Sequence, residues 1–220
     1  MSELATHNRR DQRRDFILSV AREVFFEEGY SAASMSTIAA RVGGSKGTLY
    51  NYFKNKEELF KAHIEQQCAQ FADEIFGTIL IDDQPVTEVL TRLGERYLNH
   101  IYADWAVQNF RLVIAEARRA PELARIFYAA GPAVGQDRLA TYLEGAKRRG
   151  QIAAADCHRA ASQFIALCRA DHHFRFVLNI VEPPTAGQIK VDAAAAVSMF
   201  MAAYGLTQAP ITPAPPAPRP

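Results

Sequence analysis

A chain of 220 residues, 49% of them apolar, is long enough for one large or two small domains with a sizeable core. A formal net charge of +1 does not by itself suggest a nucleic-acid partner; no run approaches the roughly 20 uninterrupted apolar residues of a membrane helix, and the polar N-terminus lacks the apolar stretch of a signal peptide. Three cysteines, Cys68, Cys157 and Cys168, are odd in number and lack zinc-finger spacing, which fits a reduced, cytoplasmic protein better than a disulfide scaffold.

The charge is unevenly placed. Residues 1–56 hold 9 Lys and Arg against 6 Asp and Glu, whereas residues 57–220 hold 16 against 18. Arg9, Arg10, Arg13 and Arg14 crowd the start of a first helix whose apolar stripe, Phe16 to Phe25, ends at Gly29. Such a run is either a solvated helix end or, beside a DNA-binding motif, a phosphate-contacting arm. Ser34 can cap a second helix in which Met35, Ile38, Ala39 and Val42 fall at i, i+3, i+4 and i+7. Gly43 and Gly44 break it, and Ser45 restarts the chain as a new N-cap. Leu49 and Phe53, four residues apart, give the third helix a core-facing side. Helix, tight turn, and helix with a polar face is a helix-turn-helix pattern.

A long helix follows from Lys56 to about Ile79, its front half in the first unit and its back half in a second. Asp82 to Pro85 reads as a turn. Helical periods follow at about 86–103, 106–119, 121–148, 156–180 and 192–204, with Gly131-Pro132 breaking or kinking the third of these. Gly150 and Glu182–Gln188 read as loops, and the Pro-rich residues 207–220 as a disordered or extended tail. The fold class is therefore all-α, with domains at 1–56 and 57–206. Helix 156–180 carries two apolar stripes, one with Phe164, Cys168 and His172 and another with Leu167, Phe174 and Leu178. One stripe can pack inside the domain while the other meets a second copy of the chain. Phe174 and Phe200 are the expected interface residues.

The stretch Ser34–Lys56, with Ile38-Ala39, Gly43, Ser45-Lys46-Gly47-Thr48-Leu49-Tyr50 and Tyr52-Phe53, resembles the DNA-binding motif of the TetR/AcrR family of bacterial regulators. The likeness covers residues 13–62; Gly44 departs from it, standing where the family usually has a β-branched residue. Arg111–Pro132 is similar to the AefR-like subgroup. The resemblance implies a homodimer built on the last two long helices, a pseudo-palindromic double-stranded DNA operator, and a small-molecule effector held in the C-terminal bundle. The protein it describes is a transcriptional regulator, most often a repressor, without a cofactor. The alternative is a DNA-binding helical module controlled by a protein partner, or one with no ligand.

On this reading Asn51 can pair with adenine and Lys46 can reach guanine or phosphate. Thr48, Tyr50 and Tyr52 suit phosphate contacts through their hydroxyls, the alternative for each tyrosine being plain packing. Ser36, Thr37, Ser45 and Gly47 line the same two helix starts, and Lys56 joins a positive charge to a helix N-terminus. Trp105, Phe110, Tyr128, Phe164 and Cys168 are the candidate effector contacts, since helical bundles place apolar pockets between their helices. Cys157, His158, Cys168, His172 and His173 imitate a metal cluster, but eleven residues separate the two cysteines along one helix, and no metal is expected. No hydrolase elbow, metalloprotease helix or phosphate loop is present, so an enzyme is not expected.

Overall fold

Apolar residues at helical spacing become ten helices in the computed structural model, which describes residues 2–43, 45–76 and 84–206. They are α1 (Ser2–Glu28), α2 (Met35–Val42), α3 (Lys46–Tyr50), α4 (Lys56–Phe76) and α5 (Val86–Ile101). The chain continues through α6 (Asp104–Glu116), α7 (Pro121–Ala130), α8 (Pro132–Arg148), α9 (Cys157–Val177) and α10 (Ala186–Tyr204). Among the described residues there is no strand, only a single antiparallel bridge between Ile152 and Gly205, and no helix is long and apolar enough to cross a membrane. Gly44, the Asp82-Asp83 turn, the end of the long helix beyond Phe76 and the tail at 207–220 lie outside the described residues.

Two boundaries differ from the sequence reading. α1 runs back to Ser2, so the four arginines sit along its body and not at its start. α10 begins at Ala186, because Thr185 accepts the Gln188 amide in its side-chain oxygen (3.2 Å) and so caps a turn expected to be loop. The break at Gly131-Pro132 is present: α7 ends and α8 begins there, with proline at the first position of α8, where its missing N–H is harmless.

Two apolar cores organise the helices. The first joins Ile17, Val24 and Phe25 of α1 to Ile38 and Val42 of α2, Leu49 and Phe53 around α3, and Leu59, Phe60 and Ile64 of α4. Val113 of α6, Ala120 at the cap of α7 and Leu123 within α7 belong to this same cluster. Packing is therefore continuous across the expected boundary at residue 56, and α4 is shared. Phe25, Tyr30 and Phe60 meet at centroid distances of 5.4–5.9 Å, two of the three pairs edge-on, a geometry worth about 0.5–1.5 kcal/mol per pair beyond area burial.

The second core joins α5, α8, α9 and α10, with Leu90, Leu143, Phe164 and Phe200 inside it. Gly94 of α5 is the point of closest approach, since a Cβ there would lie 3.3 Å from Ala193 Cβ and 3.6 Å from Cys168 Sγ. Phe200, expected at a subunit interface, is instead fully buried and packs edge-on against Phe164 at 5.5 Å. The small residues of α10 let its phenylalanine sink into the domain's own core. Phe174 is 64% exposed, and Leu178, Ile180, Val191 and Met199 are exposed as well. α9 leaves helical geometry at Ala170 (φ 42°, ψ −153°), a conformation costing a non-glycine residue about 1–3 kcal/mol.

Candidate nucleic-acid interface

α2 and α3 are held by local capping. Ser34 accepts the Thr37 amide at 3.1 Å and its hydroxyl lies 2.9 Å from that of Thr37. Gly43 closes α2 in the left-handed conformation (φ 69°) that glycine adopts without strain. Ser45 caps α3 by accepting the Thr48 amide at 3.2 Å. α3 itself is a short helix whose hydrogen bonding continues beyond Tyr50, through Asn51 N–H to Gly47 O (3.1 Å) and Phe53 N–H to Leu49 O (3.0 Å). Leu49 and Phe53 thereby share the buried side. Lys46, Gly47, Tyr50 and Asn51, at i, i+1, i+4 and i+5, share the outward side, and Tyr50 is 50% exposed.

The remaining candidates divide. Ser36 is exposed in the first turn of α2 and Thr37 is half-buried beside it. The side-chain oxygens of Ser45 and Thr48 face each other at 3.1 Å. Tyr52 is half-buried and packs against the first core, which leaves it less free to reach DNA than Tyr50. Of the arginines, Arg13 donates to Val42 O (3.2 Å) at the end of α2 and Arg14 lies 5.5 Å from the Phe53 ring centroid. Arg9 and Arg10 are exposed on α1.

Lys56 turns inward. Its Nζ donates to the carbonyls of Tyr30 (2.7 Å), Ala33 (3.1 Å) and Ser31 (3.3 Å) and sits 4.3 Å from the Tyr30 ring centroid. Its three N–H donors therefore have protein acceptors, and the expected phosphate contact gives way to a brace on the α1–α2 loop. Burial lowers its pKa, opposed by the charges of Glu116 and Glu122.

Sequence reasoning missed the polar residues that join this unit to the C-terminal helices. Glu116, the last residue of α6 and 7% exposed, accepts hydrogen bonds from both the amide and the hydroxyl of Ser31. A Cβ on Gly29 (φ 79°) would lie 3.2 Å from its carboxylate. Deeper in, Asn109 donates to Trp105 O (2.9 Å), which turns its Oδ1 to accept from Nε2–H of His63 at 3.2 Å. Burial pushes the His63 pKa down to about 4, Arg22 adds to the effect, and the Asn109 bond opposes it. His63, Asn109 and Glu116 all stand in the apolar phase of their helices, with Leu59, Trp105 and Val113 as neighbours in that phase. A polar residue in a core-facing phase was the available signal.

The five candidate effector residues do not converge. Phe164 and Cys168 face Gly94 in the second core, Trp105 meets His100 at 4.7 Å, and Phe110 lies between Phe127 (6.2 Å) and His173 (5.8 Å). Tyr128 is 57% exposed and stands apart, because it falls on the outer side of α7.

Residues 17–63 match the family of bacterial regulatory proteins called the tetR family, and residues 88–206 match the AefR-like transcriptional repressor, C-terminal domain. The chain belongs to the TetR family. This TetR-family regulator is similar to the flavonoid-responsive regulator FrrA, at 31% identity over 90% of this chain and 99% of that one, with a TM-score of 0.80. It is also similar to a TetR-family regulator of Mesorhizobium loti, at 26% identity over 89% and 98% of the two chains, with a TM-score of 0.78. The DNA-binding transcriptional repressor TetR of Mycobacteroides abscessus is 40% identical over 70 residues, spanning 32% of this chain and 37% of the relative. Regulators of the TetR family bind DNA and act as dimers, and the relatives matched here are transcriptional regulators.

Proposed function

We propose that this regulator is a repressor whose dimer binds a pseudo-palindromic operator and leaves it when a hydrophobic or aromatic effector enters the C-terminal bundle. The operator contacts are Lys46, Tyr50 and Asn51 on the outward side of α3, supported by Gly47 and Thr48 and by Ser36 and Thr37 on α2. Asn51 reads a base, and the hydroxyls and Lys46 hold the phosphate backbone. The exposed Phe174 of α9, Leu178 and Ile180 just after it, and Val191 and Met199 of α10 form the partner-facing side, so that two recognition helices reach successive major grooves about 34 Å apart.

The observation that carries the reading is the shared first core. Val113 of α6 and Leu123 of α7 are packed into the DNA-binding unit, and Glu116 is bonded to its first loop. An effector that shifts α6 or α7 therefore shifts α1 and α4 directly, and operator affinity falls by population shift. FrrA, a flavonoid-responsive relative, supports an aromatic effector. The place proposed for it is the region between α5, α6 and α9 around Trp105 and Phe110, which meet His100 and His173 there.

The test is fluorescence anisotropy with labelled DNA from the regulator's own upstream region, with and without the flavonoid naringenin. Saturable binding to a two-fold symmetric site, weakened at least fivefold by the flavonoid, is expected. A protein that binds this DNA with one affinity whatever aromatic compound is present would refute release by an effector and leave DNA binding standing.

A further inference from the structure

The break in α9 singles out one cation. Arg169 immediately precedes Ala170, whose positive φ interrupts the helix, and its Nε–H donates to the hydroxyl of Tyr97 on α5. The guanidinium carbon lies 5.7 Å from the Tyr97 ring centroid. Three arginines elsewhere meet acids or backbone acceptors: Arg41 pairs with Glu27 and Glu28, Arg175 with Asp171, and Arg111 with the carbonyls of Phe176 and Val177. Among the described residues, Arg169 has no carboxylate within ion-pair distance, and its terminal N–H groups have no protein acceptor.

The surroundings of this cation are aromatic and neutral. His173, one helical turn later, lies 5.7 Å from the Tyr102 ring and 5.8 Å from the Phe110 ring. Burial, assisted by Arg169, pushes the His173 pKa down to about 4. Burial also pushes Tyr97 up to about 12, against the influence of Arg169. At neutral pH both groups are uncharged hydrogen-bonding partners beside a fixed positive charge. The planar fork of donors on this half-buried guanidinium matches an anionic oxygen.

We propose that Arg169, with Tyr97 and His173 beside it, is the recognition point for the anionic oxygen, carboxylate or phenolate, of an aromatic effector. This rests on the reading of the protein as effector-released, and it narrows the effector to an aromatic acid. The anion supplies the counter-charge that the fold omits. Because Arg169 sits at the interruption of α9 and His173 touches Phe110 of α6, an occupant here bears on both the partner-facing helix and the helix bonded to the DNA-binding unit.

The test is isothermal titration of the full-length dimer with three probes of similar ring size at pH 8: benzoate, 4-nitrophenolate and the neutral benzyl alcohol. Benzoate and 4-nitrophenolate should bind saturably and benzyl alcohol much more weakly, with the two anions compared directly to show which oxygen is preferred. Arg169→Met should weaken anion binding roughly tenfold or more, Arg169→Lys should retain part of it, and neither should change benzyl alcohol binding. Tyr97→Phe keeps the ring and removes only the hydroxyl; it should weaken the anions severalfold and serves if Arg169→Met is misfolded. Equal binding of benzoate and benzyl alcohol, or anion binding unchanged in Arg169→Met or Tyr97→Phe, would overturn the proposal, as would failure of both anions to bind wild type. Operator anisotropy on the same samples separates the two ideas. Anions that bind through Arg169 without altering operator affinity would refute effector release and leave the site. Release by a neutral flavonoid that is unchanged in Arg169→Met would refute the site and leave effector release.

Discussion

Replacing Lys56 with Met distinguishes a brace from a phosphate contact, because the two roles predict opposite results in two measurements. Met keeps most of the stem and removes the ammonium. The change deletes three hydrogen bonds from a charged donor, at 2.7, 3.1 and 3.3 Å, and a cation–π contact at 4.3 Å. Bonds to charged groups are worth about 1.5–3 kcal/mol each when desolvated, but Lys56 is half-exposed. Water can replace the longest bond, to Ser31, and the ammonium's own desolvation is recovered in the variant. A net loss of about 2–3 kcal/mol remains, which for a domain of this size lowers Tm by about 4–12 °C. Thermal unfolding followed by circular dichroism measures the loss. Operator affinity is then titrated against salt at a temperature where both proteins are folded. A brace lowers Tm and leaves the slope of log affinity against log salt unchanged. A phosphate contact does the reverse, reducing that slope by about 1 per lost contact. An unchanged Tm with a shallower salt slope would refute the inward role of Lys56.

Tyr50→Ala should weaken binding to all DNA sequences alike, whereas Asn51→Ala should relax preference at one position per half-site by about 1–3 kcal/mol, as read by anisotropy on single-substituted operators. Phe174→Glu should give a folded monomer in light scattering, while Phe200→Glu should lose helical signal, because Phe174 is exposed and Phe200 is enclosed by Phe164 and Tyr204. His63, lowered in the fold from an ordinary 6.5 to about 4, stays neutral while the unfolded chain takes up a proton. Its contribution to stability is present above pH 6.5 and is lost as pH falls towards 4, on the order of 3 kcal/mol. His63→Gln should make denaturant midpoints less pH-dependent over that window, where buried His173 also contributes, and an unchanged pH profile would count against the assignment. A double-mutant cycle of Ser31→Ala and Glu116→Ala, read by urea unfolding, should return a coupling of about 1–2 kcal/mol.

The apolar phase of Ile38, Ala39 and Val42, with serine caps before α2 and α3, made the DNA-binding unit legible because each of those signals is local. The Gly131-Pro132 break was legible for the same reason. Thr185-x-x-Gln188 carried a capping pattern too, but Pro183-Pro184 before it and Gly187 within it favour a loop, so the start of α10 was missed. Other features depend on distant parts of the chain. Both Phe174 and Phe200 lie in apolar stripes, and only the packing of α10 onto α5 and α9 decides which one is enclosed. The direction of Lys56 follows from three carbonyls more than twenty residues away. Arg169 and Tyr97 are 72 residues apart, and no glycine or proline announces the interruption at Ala170. The scatter of the effector candidates has a similar cause, since aromatic content identifies bulk and leaves its direction open.

Val113, Ala120 and Leu123 in the first core mean that the DNA-binding head is not a detachable cassette. A chain truncated after α4 would lose the apolar cover of α1 and α4 and leave Ser31 without its carboxylate acceptor. A chimera joining this head to a foreign effector domain inherits the same defect unless the graft also brings the α6–α7 corner, from Asn109 to Leu123. Exchange of specificities between relatives is therefore expected to succeed at the exposed side of α3, where Tyr50 and Asn51 can change without disturbing a neighbour, and to fail at the seam at residue 56, where the sequence first suggests a cut.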